Sequence, residues 1–181
     1  MAPTLSVFFE RELRSDHAGE IGAVSIYDGI VAIAKLRGDD EMLAFAQTHR
    51  KTEAEHLALI EQWLPPDRRS LLLGPWRLAG WLTGALPALF GRRAMYKTIA
   101  AVEAFVDKHY QHQVDYLVNL GGPEGLLPVL LRCQADEQHH RDQAAALGGD
   151  LPNQFIHTWC WVVSFGSKVA VALARRLLSF C

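Results

Sequence analysis

A repeated pattern of glutamate and histidine constrains this sequence most strongly. Glu53 is followed three positions later by His56, and the same Glu-x-x-His spacing returns at Glu137, 84 residues further along the chain. Residues three apart on a helix lie on one face, so each pair can present a carboxylate and an imidazole to one metal ion. A single Glu also precedes each pair. The six residues of the pattern are Glu20, Glu53, His56, Glu103, Glu137 and His140.

This repeat predicts an all-α fold, specifically a ferritin-like four-helix bundle. In di-iron bundles of that type, two helices each supply one Glu and the other two each supply a Glu-x-x-His, all directed inward. Glu20 lies in an otherwise apolar helical stripe with Val24, Tyr27 and Val31. Four buried carboxylates without a cation would be costly, whereas two divalent ions balance their charge. Oxygen and nitrogen ligands without thiolates favour iron or manganese over structural zinc.

We interpret residues 1–181 as one ferritin-like di-iron domain whose bundle helices occupy about 15–147. Capping and helix-breaking residues set the expected boundaries of these helices. The expected helices are Ser15 or Asp16 to Lys35 with Gly38 as the stop, Asp39 or Asp40 to Pro65, Arg93 to Asn119, and Pro123 to Gly148.

An apolar insertion at about 68–92 and a helical extension at about 153–181 fall outside the four-helix scheme. The segment 71–90 carries one charge, Arg77, but Pro75 and Pro87 argue against an uninterrupted membrane span. Basic residues flank the segment on both sides, which favours a helix in the headgroup region of an anionic membrane. The extension is expected to pack on the bundle or to share the membrane. Either segment could be the main anchor.

Composition argues against several other classes of protein. The net charge is −2, which does not indicate the basic domain of a nucleic-acid-binding protein. The N-terminus lacks a secretory signal, and three cysteines without a C-x-x-C pair are expected to be reduced thiols. No G-x-G-x-x-G phosphate loop occurs. These features predict a protein that works where it is made.

Residues beside the six-residue pattern are candidates for supporting roles. Tyr110 and Asp107 share the helix face of Glu103 and are expected to border the site, whereas His109 and His112 are expected to face outward. Two alternatives remain open for Asp136. It either accepts a hydrogen bond from a ligating histidine, with His56 as the first candidate, or lies at the surface. Cys133 is expected to be a small core residue.

The pattern and its surroundings closely resemble the demethoxyubiquinone hydroxylase family of ubiquinone biosynthesis. The resemblance covers about residues 12–147. It rests on Asp16-His17-Ala18-Gly19-Glu20, Glu53-Ala54-Glu55-His56, Val102-Glu103 with His109-Tyr110, and Ala135-Asp136-Glu137-Gln138-His139-His140. It implies a di-iron monooxygenase that hydroxylates the ring of a polyprenyl demethoxyquinone with dioxygen and electrons from NADH. One iron would then take Glu20, Glu53 and His56, the other Glu103, Glu137 and His140, with Glu53 and Glu137 as bridges.

The resemblance also implies a peripheral membrane protein on the cytoplasmic face of the inner membrane. Its expected partners are a lipophilic quinone and the membrane surface, with a homo-oligomer or other quinone-biosynthesis proteins as further candidates. Two alternatives from other classes remain. A ferritin-like iron-binding or peroxide-scavenging protein shares the ligand set but does not explain the apolar insertion. A structural membrane-bound helical protein does not explain the carboxylates.

Overall fold

The structure is a computed structural model that describes residues 5–176. Over that range the regular structure is helical throughout, which confirms the all-α prediction. The elements are α1 (Val7–Arg37), α2 (Asp40–Glu61), a 3₁₀ turn (Pro66–Arg68), α3 (Leu73–Leu89), α4 (Arg92–Leu120), α5 (Leu126–Gly148) and α6 (Gln154–Arg176). Because the predicted extension runs to residue 181, its last five positions lie outside the described residues, and the single-domain interpretation stays a prediction.

The first two helices are separated by a tight reversal that the sequence indicates correctly. Gly38 adopts a left-handed conformation with φ 62°, and its N–H donates to the carbonyl oxygens of Ala34 and Lys35. Asp39 then caps α2, because its side chain accepts a hydrogen bond of 3.0 Å from the backbone N–H of Met42. The chain therefore turns back on itself within three residues.

The expected start of α1 at Ser15 or Asp16 is wrong. The helix begins at Val7, and the side chain of Ser6 is its cap. The cause is tertiary, since Phe9 and Leu13 are fully buried in an apolar cluster with residues of α4 and α5. A similar correction applies to α5, which begins at Leu126 and not at Pro123.

Two apolar clusters fill the bundle formed by α1, α2, α4 and α5. One contains Ile26, Met42, Ile99 and Ala144 among its buried residues. The other contains Leu13, Ile60, Tyr110 and Cys133, which confirms the core role expected for Cys133. In each of these four helices, the residues of the Glu/His pattern fall between members of the two clusters. The polar residues therefore form a layer across the middle of the bundle.

Helix α3 packs against α1 at unusually short range. A Cβ atom built on Gly80 would clash with the backbone of Gly22, and one built on Gly84 would clash with the backbone of Ile26. Glycine at these two positions lets the two backbones approach each other directly, as small residues do in close helix pairs. The apolar insertion is thus part of the packed fold along α1.

Helix α3 is continuous although it contains two prolines. Pro75 lies in the first turn, where a missing N–H removes no helical hydrogen bond, and Pro87 lies in the last turn.

Helix α6 lies along α1 and α4 and is fixed near both ends. Trp159 donates to Thr98 at 3.1 Å, and Arg175 pairs with Glu12 at 2.5 Å. Among the described residues, α6 is the one helix long and apolar enough to cross a membrane by length and composition.

Candidate metal centre

The six residues of the repeated pattern meet inside the bundle. Helices α1 and α4 supply one Glu each, and α2 and α5 each supply a Glu-x-x-His. All six side chains are buried, with at most 3% of any residue exposed. They form two overlapping groups whose candidate ligand atoms lie within 4.8 Å of one another: Glu20, Glu53, His56 and Glu137, and Glu53, Glu103, Glu137 and His140.

Glu53 and Glu137 belong to both groups. Nδ1 of His56 lies 3.1 Å from Oε1 of Glu137 and 3.5 Å from Oε2 of Glu53. Nδ1 of His140 lies 3.0 Å from Oε1 of Glu53 and 3.7 Å from Oε2 of Glu137. Each of the two carboxylates thus turns one oxygen toward each histidine. Both carboxylates are therefore shared between the two groups.

The atoms at the centre of the cluster approach one another without hydrogen bonding. Several of them have no hydrogen-bond partner within residues 5–176: Oε2 of Glu20, both carboxylate oxygens of Glu53, Oε2 of Glu137, and Nδ1 of His56 and of His140. A buried polar group without a partner is costly. Because these atoms converge and are of the oxygen and nitrogen type that iron and manganese bind, the site fits two such ions.

Electrostatics in the cluster are consistent with a cation site. Burial raises the pKa of Glu20 and Glu103 well above the usual glutamate range, and the neighbouring carboxylates of Glu53 and Glu137 add to the effect. Burial would lower the pKa of His140, but the facing carboxylates outweigh it and raise that pKa to about 9. Protons and metal ions therefore compete for the same atoms, so metal binding is expected to release protons.

A pair of tyrosines supports the two single glutamates. Tyr110 on α4 donates a hydrogen bond of 2.5 Å to Glu20, and Tyr27 on α1 donates one of 3.0 Å to Glu103. Tyr110 therefore lies beside the site. The sequence interpretation treated Tyr27 only as part of an apolar stripe. The internal repeat could have indicated its role, because Tyr27 follows Glu20 by seven positions, as Tyr110 follows Glu103.

The outer nitrogens of the histidines also have neighbours. Oδ2 of Asp136 lies 3.1 Å from Nε2 of His56, so the contact anticipated for this residue is present although its side chain is 39% exposed. The ring of His140 packs edge-on against His49, with 4.2 Å between ring centroids. His49 in turn contacts Oε1 of Gln143 at 2.8 Å. The sequence interpretation assigned His49 no supporting role.

Two expectations about residues near Glu103 are wrong. His109 does not face outward, because its Nε2 lies 2.7 Å from Oδ1 of Asp16 on α1. Asp107 does not border the cluster. Its carboxylate instead contacts side chains of α5, which are Gln134, Gln138 and Arg141. His112 is exposed, as expected.

An apolar cavity of about 440 Å³ lies beside the cluster, between α1, α3, α4 and α6. A smaller space of about 50 Å³ adjoins the glutamates themselves. The two share a set of wall residues, which are Ser15, Gly19, Ala23, Phe105, Val106 and Val171. The cavity and the space at the glutamates therefore adjoin at these residues, which we call the junction.

The fold and the site define an all-α bundle protein with a buried carboxylate and histidine cluster suited to metal ions. The sequence model of the family described as "Ubiquinone biosynthesis protein COQ7" matches residues 7–174. The chain belongs to this family, and the resemblance inferred from the motifs is confirmed.

Similar proteins come from bacteria and from eukaryotes. The chain is 33% identical over 179 residues to the 3-demethoxyubiquinol 3-hydroxylase of Rhodospirillum rubrum. The aligned region covers 97% of this chain and 81% of that protein. It is 30% identical over 172 residues to the mitochondrial NADPH-dependent 3-demethoxyubiquinone 3-hydroxylase of Bos taurus. That aligned region covers 93% of this chain and 77% of the bovine protein. The corresponding Caenorhabditis elegans protein is 28% identical over 181 residues, which cover 97% of this chain and 94% of that protein.

Proposed function

We propose that this chain is a hydroxylase that adds oxygen to the ring of a polyprenyl demethoxyquinone or its quinol in ubiquinone biosynthesis. Membership of the COQ7 family and the names of the relatives support this reaction. The observation that carries it is the junction between a buried carboxylate and histidine cluster and an apolar cavity. That combination brings a lipophilic substrate next to candidate metal ligands.

In this proposal Glu20, Glu53 and His56 would hold one iron, and Glu103, Glu137 and His140 would hold the other. Glu53 and Glu137 would be available to both ions. Two irons bound there in the reduced state would supply the electrons and the open coordination positions that activation of dioxygen requires. Tyr110 and Tyr27 fix the single glutamates by hydrogen bonds, and Asp136 orients the ring of His56.

The apolar cavity is the proposed substrate site. Its volume of about 440 Å³ lies in the range of small-molecule pockets, and its walls are mainly small or apolar side chains. Gly19 lies at the junction with the cluster, and a Cβ added there would meet no atom within 4 Å. Packing therefore does not require glycine at this position. Its missing side chain instead keeps the junction open for the ring.

The two helices that flank the cavity also present apolar side chains to the outside. Leu78 and Trp81 of α3 and Trp161 and Phe165 of α6 are exposed. We propose that these side chains rest in the headgroup region of a membrane, with basic residues beside them, so that the prenyl tail stays in lipid. In this arrangement the protein is peripheral and lies on the cytoplasmic face of the inner membrane. Both helices contribute to anchoring.

The proposed reductant is a reduced nicotinamide dinucleotide. The resemblance implied NADH, whereas the relatives from Dictyostelium discoideum and Bos taurus are named as NADPH-dependent. Rates of oxygen consumption with each dinucleotide, measured at equal concentration, establish which one this chain uses. A homo-oligomer and other quinone-biosynthesis proteins remain the proposed protein partners.

The proposal is tested by measuring iron content and oxygen consumption on the purified protein. We expect about two irons per chain and oxygen consumption that depends on a lipophilic demethoxyquinone. Oxygen consumption that is the same with and without the quinone would contradict the proposal. Continued uptake of iron beyond two per chain would instead support the ferritin-like alternative.

A further inference from the structure

Two residues that line the apolar cavity carry hydrogen-bonding groups that the proposed metal centre does not use. One is Oγ of Ser15 on α1, and the other is Nε1 of Trp76 on α3. Both atoms are buried, and neither has a hydrogen-bond partner among residues 5–176. Both residues line the cavity, and Ser15 also borders the smaller space at the glutamates.

Ser15 differs in this respect from five other hydroxyl residues of the helices. A serine or threonine inside a helix commonly donates to the carbonyl oxygen four residues earlier. That bond is present at Ser25, Thr48, Thr83, Thr98 and Ser167, with lengths of 2.8 to 3.0 Å. Ser15 is only 2% exposed but does not make it. Its hydroxyl is therefore available to a group in the cavity.

Trp76 shows a similar contrast with Trp159, which lines the same cavity. The indole N–H of Trp159 donates to Thr98 at 3.1 Å, so its hydrogen-bonding capacity is used within the protein. The indole N–H of Trp76 has no such partner within the described range. An indole can only donate, so its partner must carry an acceptor atom.

We propose that Ser15 and Trp76 are the polar anchors of the substrate ring, each donating a hydrogen bond to a ring oxygen. This inference rests on the proposed function, because it assumes that a quinone or quinol occupies the cavity. Binding pockets of this kind combine apolar walls with a few placed polar groups that fix the ligand's orientation. Ser15 lies at the junction with the glutamates. It therefore holds the ring oxygen nearest the candidate irons, and Trp76 on the neighbouring helix α3 holds another.

The test compares the binding of two ligands to the iron-loaded protein by isothermal titration calorimetry. The first ligand is a demethoxyquinone with a decyl tail, and the second is decylbenzene, which has the tail and ring but no oxygens. Ser15→Ala and Trp76→Phe each remove one donor and keep most of the side-chain volume. We expect each to weaken quinone binding about fivefold, the effect of one lost hydrogen bond, and to leave decylbenzene binding unchanged.

Matched controls separate the anchors from general effects of substitution. Ser25→Ala removes a buried hydroxyl on the same helix that is already bonded to Ile21, and Trp81→Phe changes an exposed indole of α3 that does not line the cavity. Both controls should bind the quinone like the wild type. Iron content and melting temperature of every variant are measured in parallel, and we expect Ser15→Ala to retain both.

Three outcomes distinguish this inference from the proposed function. Wild-type affinity for the quinone in Ser15→Ala and Trp76→Phe would overturn the anchoring role alone. An equal loss of affinity for quinone and decylbenzene would also overturn it, because the effect would then be one of shape. A wild-type protein that binds neither ligand would refute the substrate cavity, and with it the proposed function.

Discussion

Substitution of Gly84 by alanine tests the close packing of α3 against α1. The added Cβ would lie 2.8 Å from the carbonyl carbon of Ile26 and 3.2 Å from its Cα. Carbon atoms in contact are normally about 3.5–4.0 Å apart, so α3 would have to move outward by roughly 1 Å. The obstacle is backbone, which cannot adopt another rotamer.

The expected loss of stability is at the upper end of the range for overpacking, about 3 kcal/mol. For a chain of this size that corresponds to a fall in melting temperature of roughly 6–12 °C, measured by circular dichroism. Because α3 forms one wall of the cavity, quinone binding should weaken as well. Iron content should fall less, since α3 supplies none of the six candidate ligands.

Gly74→Ala is the matched control for this experiment. Gly74 lies in α3 itself and does not line the cavity, and a Cβ added there would meet no atom within 4 Å. Alanine has the higher helix propensity, so this variant should gain up to about 1 kcal/mol of stability. If Gly84→Ala melted at or above the wild-type temperature, the close approach of the two helices would be wrong.

Three further sets of substitutions test the site, the junction and the proposed membrane surface. Asp136→Asn should lower iron affinity about 10- to 100-fold, because it removes the carboxylate beside His56; competition with a chelator measures this. Gly19→Val should retain about two irons but lose quinone-dependent oxygen consumption, since its side chain enters the junction, and Gly19→Ala should have a smaller effect. Replacing Trp81 and Trp161 with serine should weaken binding to anionic lipid vesicles in a sedimentation assay.

Each of these expectations has a result that contradicts it. Unchanged iron affinity in Asp136→Asn would assign that residue to the surface, the second alternative from the sequence. Full oxygen consumption in Gly19→Val would show that the substrate reaches the cluster by another route. Equal vesicle binding by the wild type and the double tryptophan variant would rule out the exposed faces of α3 and α6 as the membrane contact.

The layer of Glu and His residues was predictable because the sequence spacing of these residues follows directly from the geometry of a helix. A Glu-x-x-His that occurs twice with the same offset leaves few arrangements other than an inward-facing repeat on four helices. The roles of Gly38 and Asp39 were equally predictable, because a left-handed glycine and a capping side chain depend only on neighbouring residues. The structure brings all six residues together, as that interpretation expected.

Other features depend on contacts that local patterns do not report. Helix α1 begins at Val7 because Phe9 and Leu13 pack against distant helices, whereas capping preference alone pointed to Ser15. The prolines of the insertion argued against an uninterrupted membrane span, but the sequence alone did not show where the helix of this segment begins and ends. Pro75 and Pro87 turned out to lie in its first and last turns, where proline is tolerated.

The residues that contact the Glu/His layer were also only partly predictable from local patterns. Tyr27 could have been found by extending the internal repeat to neighbouring positions, because it matches Tyr110 in its distance from the preceding Glu. His109 could not, since only the packing of α4 against α1 brings it to Asp16. The cavity also depends on four helices that are far apart in sequence, so the role proposed for Ser15 needed the structure.

The most direct test of the central claim is product analysis under isotopically labelled dioxygen. Iron-loaded, reduced protein is mixed with a demethoxyquinone, and the quinone products are examined by mass spectrometry. The proposed function predicts one labelled oxygen atom in a new ring hydroxyl group. Recovery of the label only in peroxide or water, with an unchanged quinone, would contradict it.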